Sequence, residues 1–276
     1  MRAATAGTAG RCDGHRSAQS ERRTRRVFVG AGLALFAASA AVTVLRCTSM
    51  PAMEGMPMPG GETMSMAWMR MPGQSWPAAA ASFLGMWLPM MVAMMLPSVL
   101  PALWRYHQAM LQTDAPHPAR LAMLAGLAYF AVWMLVGLAV YPLGASLAAL
   151  GMRWPLPPRT LPLATGAVVL LAGLLQFTAW KARLLACCRA VPGHPMPASG
   201  DAAGALRHGL RLGLHCSGCC VGATAALLAI GSMDLRAMVL VTAAITAERL
   251  VPAGTAVMRA IGVVATVAGM ILMMRA

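Results

Sequence analysis

Charged side chains are scarce in this sequence. They make up 11% of 276 residues, and only eight are Asp or Glu against 22 Lys and Arg. A soluble globule of this size cannot cover itself with so little polar surface, and the 59% apolar content exceeds the roughly half that is usual. Soluble-enzyme signatures are missing too: there is no P-loop, dinucleotide glycine fingerprint, H-E-x-x-H or G-x-S-x-G. An ATP-driven pump, which also needs large cytosolic domains, is a poor match. No internal repeat and no soluble domain stand out.

What the chain does have is a series of apolar runs, each of the length that crosses a bilayer, about 17–25 residues. They fall at Val27–Leu45, Ala78–Leu103, Leu121–Leu143, Leu161–Trp180, Gly209–Gly231, Leu235–Leu250 and Thr255–Met274. The expected fold is all-α, a polytopic membrane helix bundle with six to seven transmembrane helices. With the N-terminus inside, sixteen Lys and Arg fall on the inner side and six on the outer, which is the positive-inside pattern. The net charge of +14 therefore reads as a topology signal rather than nucleic-acid binding, with anionic lipid of a bacterial inner membrane as its partner. Residues 1–26 are expected to be a disordered basic cytoplasmic tail and 27–45 the first transmembrane helix, a possible signal anchor. Residues 46–77 form a Met-rich outer loop and 78–276 a metal-binding membrane domain. Thr24-Arg25-Arg26-Val27-Phe28-Val29 looks like a twin-arginine export signal, and Ala38-Ser39-Ala40 could be a cleavage site, which would leave six spans.

Within these runs sit soft donors. His215-Cys216-Ser217-Gly218-Cys219-Cys220 lies in one span. On a helix, His215 and Cys219 are four apart, Cys216 and Cys220 are four apart, and Cys216 and Cys219 are three apart. Three thiols and an imidazole thus occupy about one and a half turns. The second span carries Met86, Met90 and Met94 as one stripe, with Met91 and Met95 beside it. Thiolates and thioethers select Cu(I) among common ions; zinc suits a Cys/His site but not abundant Met. Either set could simply pack, since Cys and Met are good core residues. Met94–Met95 and Cys216–Cys220 nevertheless fall at matching depths, roughly 10–16 Å from the inner surface at about 1.5 Å per residue.

Other residues extend the pattern. Met50, Met53, Met56, Met58, Met64, Met66, Met69 and Met71 recur at M-x-x-M and M-x-M spacings that would let thioethers wrap one Cu(I). Cys187 and Cys188, below the fourth span, could receive or release an ion. Glu248 either lines a pathway or pairs with the adjacent Arg249. His107 and His117 read as solvated loop residues.

Together these residues resemble a known family. Trp87-Leu88-Pro89-Met90-Met91-Val92-Ala93-Met94-Met95-Leu96-Pro97-Ser98 is similar to the W-x-x-M-x-x-A-M-M-L-P-S segment of a family of predicted metal-binding integral membrane proteins described as copper-chaperone-like. Gln176-Phe177-Thr178-Ala179-Trp180-Lys181, with Cys188-Arg189 after it, resembles that family's Y-Q-x-T-P-L-K-x-x-C-L-x-x-C-R. Cys216 followed by Gly218-Cys219-Cys220 matches its C-x-G-C-C-W, and Glu248-Arg249 is similar to its Glu-Lys. The likeness runs from about Ala78 to Val257. Leu184 stands where the family has a first Cys, Val221 replaces its Trp, and Leu212 replaces a His while His215 appears nearby. The resemblance implies copper handling on behalf of a cuproprotein.

The candidate metal ligands are thus Cys216, Cys219, Cys220, His215, Met90, Met91, Met94, Met95, Cys188 and Glu248, with copper(I) as the ion and no catalytic residues. The expected function is copper delivery to a client cuproprotein or soluble copper carrier, without enzyme activity. Two other classes stay open: a membrane thiol–disulfide oxidoreductase built on C-x-x-C, and a non-catalytic assembly subunit whose Cys and Met only pack.

Overall fold

Local sequence signals start, stop and break the helices. The computed structural model describes residues 6–49, 56–57, 63–64, 68, 73–153, 157, 159–189, 200–231 and 234–276. Helix α1 covers Ala6–Ser49; two short strands, β1 (Met56–Pro57) and β2 (Thr63–Met64), pair antiparallel after it. Six further α-helices precede the last one: α2 (Trp76–Gln112), α3 (Pro118–Arg153), α4 (Thr160–Leu175), α5 (Ala179–Arg189), α6 (Ala202–Ile230) and α7 (Leu235–Leu250). Helix α8 (Gly254–Arg275) closes the series. Ser75, Asp201 and Asp234 cap α2, α6 and α7 by accepting from backbone N–H groups in the first turn. Gly231, at φ 138°, ends α6 in a conformation closed to side chains with a Cβ.

Among the described residues, five helical stretches are long and apolar enough to cross a membrane: Glu21–Thr48 within α1, then α2, α3, α6 and α8. The expected fourth span, Leu161–Trp180, is not one straight helix. The chain turns by 68° between α4 and α5, and the bent pair counts as a sixth candidate crossing. The cause is local. Thr178 Oγ1 donates to Leu175 O and accepts from Lys181 N, so this residue closes one helix and caps the next. Helix α7 occupies the expected residues 235–250, yet its 16 residues rise only about 24 Å, short of a full span. The segment 1–26, expected to be disordered, is instead helical from Ala6, where Ala and Arg recur and no proline interrupts.

The core gathers around α2. Trp87 is fully buried and donates from Nε1 to Trp133 O at 2.9 Å, pinning α2 to α3. That indole needs Gly137: a Cβ there would stand 2.6 Å from the ring. Similarly, a Cβ on Gly213 would meet Val132 at 2.8 Å, so α3 and α6 approach at near-backbone distance. His107 is a correction to the loop reading. It lies within α2, is buried, and stacks on Trp104 with ring centroids 5.2 Å apart.

Candidate metal centre

Helix α6 turns one face inward along Gly209, Gly213, Cys216, Cys220 and Thr224, with Cys219 at its edge. The three cysteines are buried and carry free thiols. Cys219 Sγ donates to Cys216 O at 3.3 Å within the same turn. Cys188 comes in from α5, its sulfur 3.7 Å from Cys219 Sγ, and Cys220 Sγ lies 3.7 Å from Cys219 on the other side. From α3, the Tyr129 hydroxyl contacts Cys216 Sγ at 2.8 Å. The bend at Gln176–Thr178 is what lets Cys188 reach the cluster.

Charge enters this apolar setting from α5 and α7. Glu248 pairs with Lys181 at 2.9 Å, and both side chains are nearly inaccessible. Gln176 Nε2 donates to the other carboxylate oxygen at 2.9 Å, and Lys181 Nζ also donates to Cys219 O at 2.5 Å. Arg249 goes elsewhere. Its Nη2 stands 3.1 Å from Cys219 Sγ, 3.6 Å from Cys188 Sγ and 3.7 Å from Cys220 Sγ. Its Nη1 donates to Ser98 Oγ at 3.2 Å, and Ser98 Oγ donates to Met95 O at 2.9 Å. The pairing of Glu248 with Arg249 considered from sequence is therefore replaced by Glu248–Lys181 and Arg249–sulfur.

The remaining candidates divide. Met90, Met91, Met94 and Met95 are all buried, in the same contiguous core cluster as Cys188, Cys216, Cys219 and Cys220. Their proline-bearing helix, with Pro89, Pro97 and Pro101, is tied to the thiols through Ser98 and Arg249. His215 is half-buried on the flank of α6 and joins none of the hydrogen bonds to the thiols among the described residues. Cys187 is exposed, one residue and 100° away from Cys188 on α5. Most of the Met-rich run lies outside the described residues, and the side chains of Met56 and Met64 are not among those described. Leu184, where the resemblance calls for a cysteine, packs against the core one turn before Cys188; a Cβ on Gly218 would meet it at 2.9 Å.

Arg249, Lys181, Tyr129, Gln176 and Ser98 were not among the residues expected to form the site. The Q-x-T-x-x-K run and the Glu-Arg pair carried a signal, because charges and amides in apolar helices need partners. Tyr129 carried only its place on the inward face of α3.

Chemically, four soft donors lie within one buried cluster, with thioethers in the same core. That set suits Cu(I) better than hard cations. The sulfurs form a chain with a guanidinium among them rather than a cage: among the described residues, no three His, Cys, Asp or Glu side chains converge at metal-holding distance. A family profile named PpoB2 and described as a copper chaperone matches residues 84–272, which takes in α2 from Leu84 to nearly the end of α8. No curated protein and no solved structure matches the chain. With about two thirds of its length matched, sulfur cluster included, the chain belongs to the PpoB2 copper chaperone family.

Proposed function

We propose that this copper chaperone is an integral protein of a bacterial inner membrane that carries Cu(I) to a client cuproprotein or soluble copper carrier. Two thiols at a time, drawn from Cys188, Cys216, Cys219 and Cys220, hold the ion. Met90, Met91, Met94 and Met95 relay it, and the methionines of residues 53–71 collect it on the outer side. Glu248, locked to Lys181, fixes α5 against α7 and so sets the approach of Cys188. The N-terminus is cytoplasmic, where the arginines of α1 meet anionic lipid.

One observation carries this reading: thiols from α5 and α6 meet inside a bundle whose neighbouring helix turns four methionines into the same core. Burying that many polarisable sulfurs together has little structural benefit over Leu or Val, whereas it suits a soft monovalent ion. The oxidoreductase reading fits less well, because exchange requires an accessible thiolate and Cys216, Cys219 and Cys220 are almost fully covered.

Detergent-purified protein loaded anaerobically with Cu(I) should retain near-stoichiometric copper, and the Cys216/Cys219/Cys220→Ser triple variant should lose it. Equal copper in both would move the site to the methionines, and none in either would end the proposal. His215→Ala, by contrast, should keep wild-type stoichiometry in the same assay, since among the described residues its ring joins none of the hydrogen bonds to the thiols. A parallel loss there would bring the imidazole into the ligand set.

A further inference from the structure

Arg249 is an odd resident for a cation site. Its Nη2 stands 3.6 Å from Cys188 Sγ, 3.1 Å from Cys219 Sγ and 3.7 Å from Cys220 Sγ, where an ion bridging two of these thiols would meet it. The side chain is 8% exposed, its Nη1 is held by Ser98, and its Nε is buried with no partner. An arginine remains charged in proteins under all ordinary conditions. The nearest carboxylate, Glu248, is already closed on Lys181 and Gln176. Among the described residues Arg249 therefore faces sulfur and hydroxyl groups, and no carboxylate.

We propose that Arg249 is the specificity-determining residue of the thiol cluster: a tethered monovalent cation that admits Cu(I) or Ag(I) and turns away divalent ions. This rests on the reading of the cysteines as the copper site. Charge balance sets the preference. Cu(I) on two thiolates forms a complex of net charge −1, and the displaced guanidinium, unable to leave the bundle, neutralises it. A divalent ion on the same two thiolates is neutral, so the guanidinium stays uncompensated in a medium that penalises lone charge. Direct repulsion adds to this, because the guanidinium stands 3.1 Å from Cys219 Sγ and would repel a divalent ion on that sulfur with twice the force. Recruiting a third thiolate would restore balance, but among the described residues no three such donors form a metal-holding group.

The test is a pair of titrations of the full-length protein in detergent, with Ag(I) and with Cd(II), read by metal–thiolate absorption and bound metal. Wild-type protein should prefer Ag(I) over Cd(II) by about 100-fold or more, and Arg249→Gln should shrink that ratio at least about tenfold. Arg249→Lys, which keeps the charge but not the fork, should hold the wild-type ratio. Using the ratio cancels any general effect of the residue on thiol ionisation or packing. An unchanged ratio in Arg249→Gln would overturn the proposal, as would comparable Ag(I) and Cd(II) binding by wild type. If the glutamine variant does not fold, the wild-type ratio and the lysine variant still decide. Absence of Ag(I) uptake by wild type would instead bring down the copper-site reading itself, and this inference with it.

Discussion

Cys219→Ser alone should weaken Cu(I) binding by more than about 100-fold, the upper end of what loss of a mere outer-shell partner costs a metal site. Cys219 is the hub of the cluster. Its sulfur touches Cys188, Cys220 and Arg249, and its own carbonyl receives the Lys181 ammonium. Serine preserves the backbone contact with Lys181 and replaces only the soft donor, so the fold should survive. Because ligand thiols must give up protons to bind, the wild-type affinity itself should fall on acidification. Competition against a Cu(I) chelator of known affinity measures the change. A loss under tenfold would shift the principal ligands to Cys216 and Cys220 and leave Cys219 as a spacer.

The second large effect concerns stability. Lys181→Met leaves Glu248 buried without its cation, and removing one partner of a buried ion pair typically costs about 3–5 kcal/mol. Gln176 satisfies one carboxylate oxygen and cannot supply charge. Glu248→Gln in the same background removes the orphaned charge, so the double variant should recover most of the loss. Unfolding equilibria in mixed micelles would follow all three proteins. If the single variant were as stable as wild type, the pair would have to be solvated, and α5 would not depend on it for its position.

Periodicity in the sequence pointed to the helices and to the sulfurs that gather in one core, but said little about charge. The buried stripe from Met90 to Met95 and the C-x-x-C-C turn follow directly from helical spacing, which is why both emerge in one core. Glu248 and Arg249 were harder. Adjacent residues on a helix diverge by 100°, so the two side chains could not serve the same partner; one reaches Lys181 on α5 and the other the thiols. Which neighbour each meets depends on how α5, α6 and α7 pack, and that is set by contacts remote in sequence. The bend after Leu175 was equally hidden, since Gln176–Thr178 is short and the flanking residues are apolar on both sides. Leu161–Trp180 therefore read as a single run. His215 shares the i, i+4 spacing with Cys219, yet a shift of 40° around α6 places it on the flank.

The sources of the sulfur cluster have a consequence for biosynthesis. Cys188 and Cys216–Cys220 emerge from the ribosome before Glu248 and Arg249, separated from them by the turn at Gly231 and most of α7. Domains assemble from the N-terminal side as they are made. For that interval Lys181 has no carboxylate and the thiols no guanidinium, so the nascent bundle holds donors without their counter-charges. A chain arrested before Leu235 would contain every cysteine of the cluster and no guanidinium beside them, so its thiols would accept divalent ions that the finished site turns away.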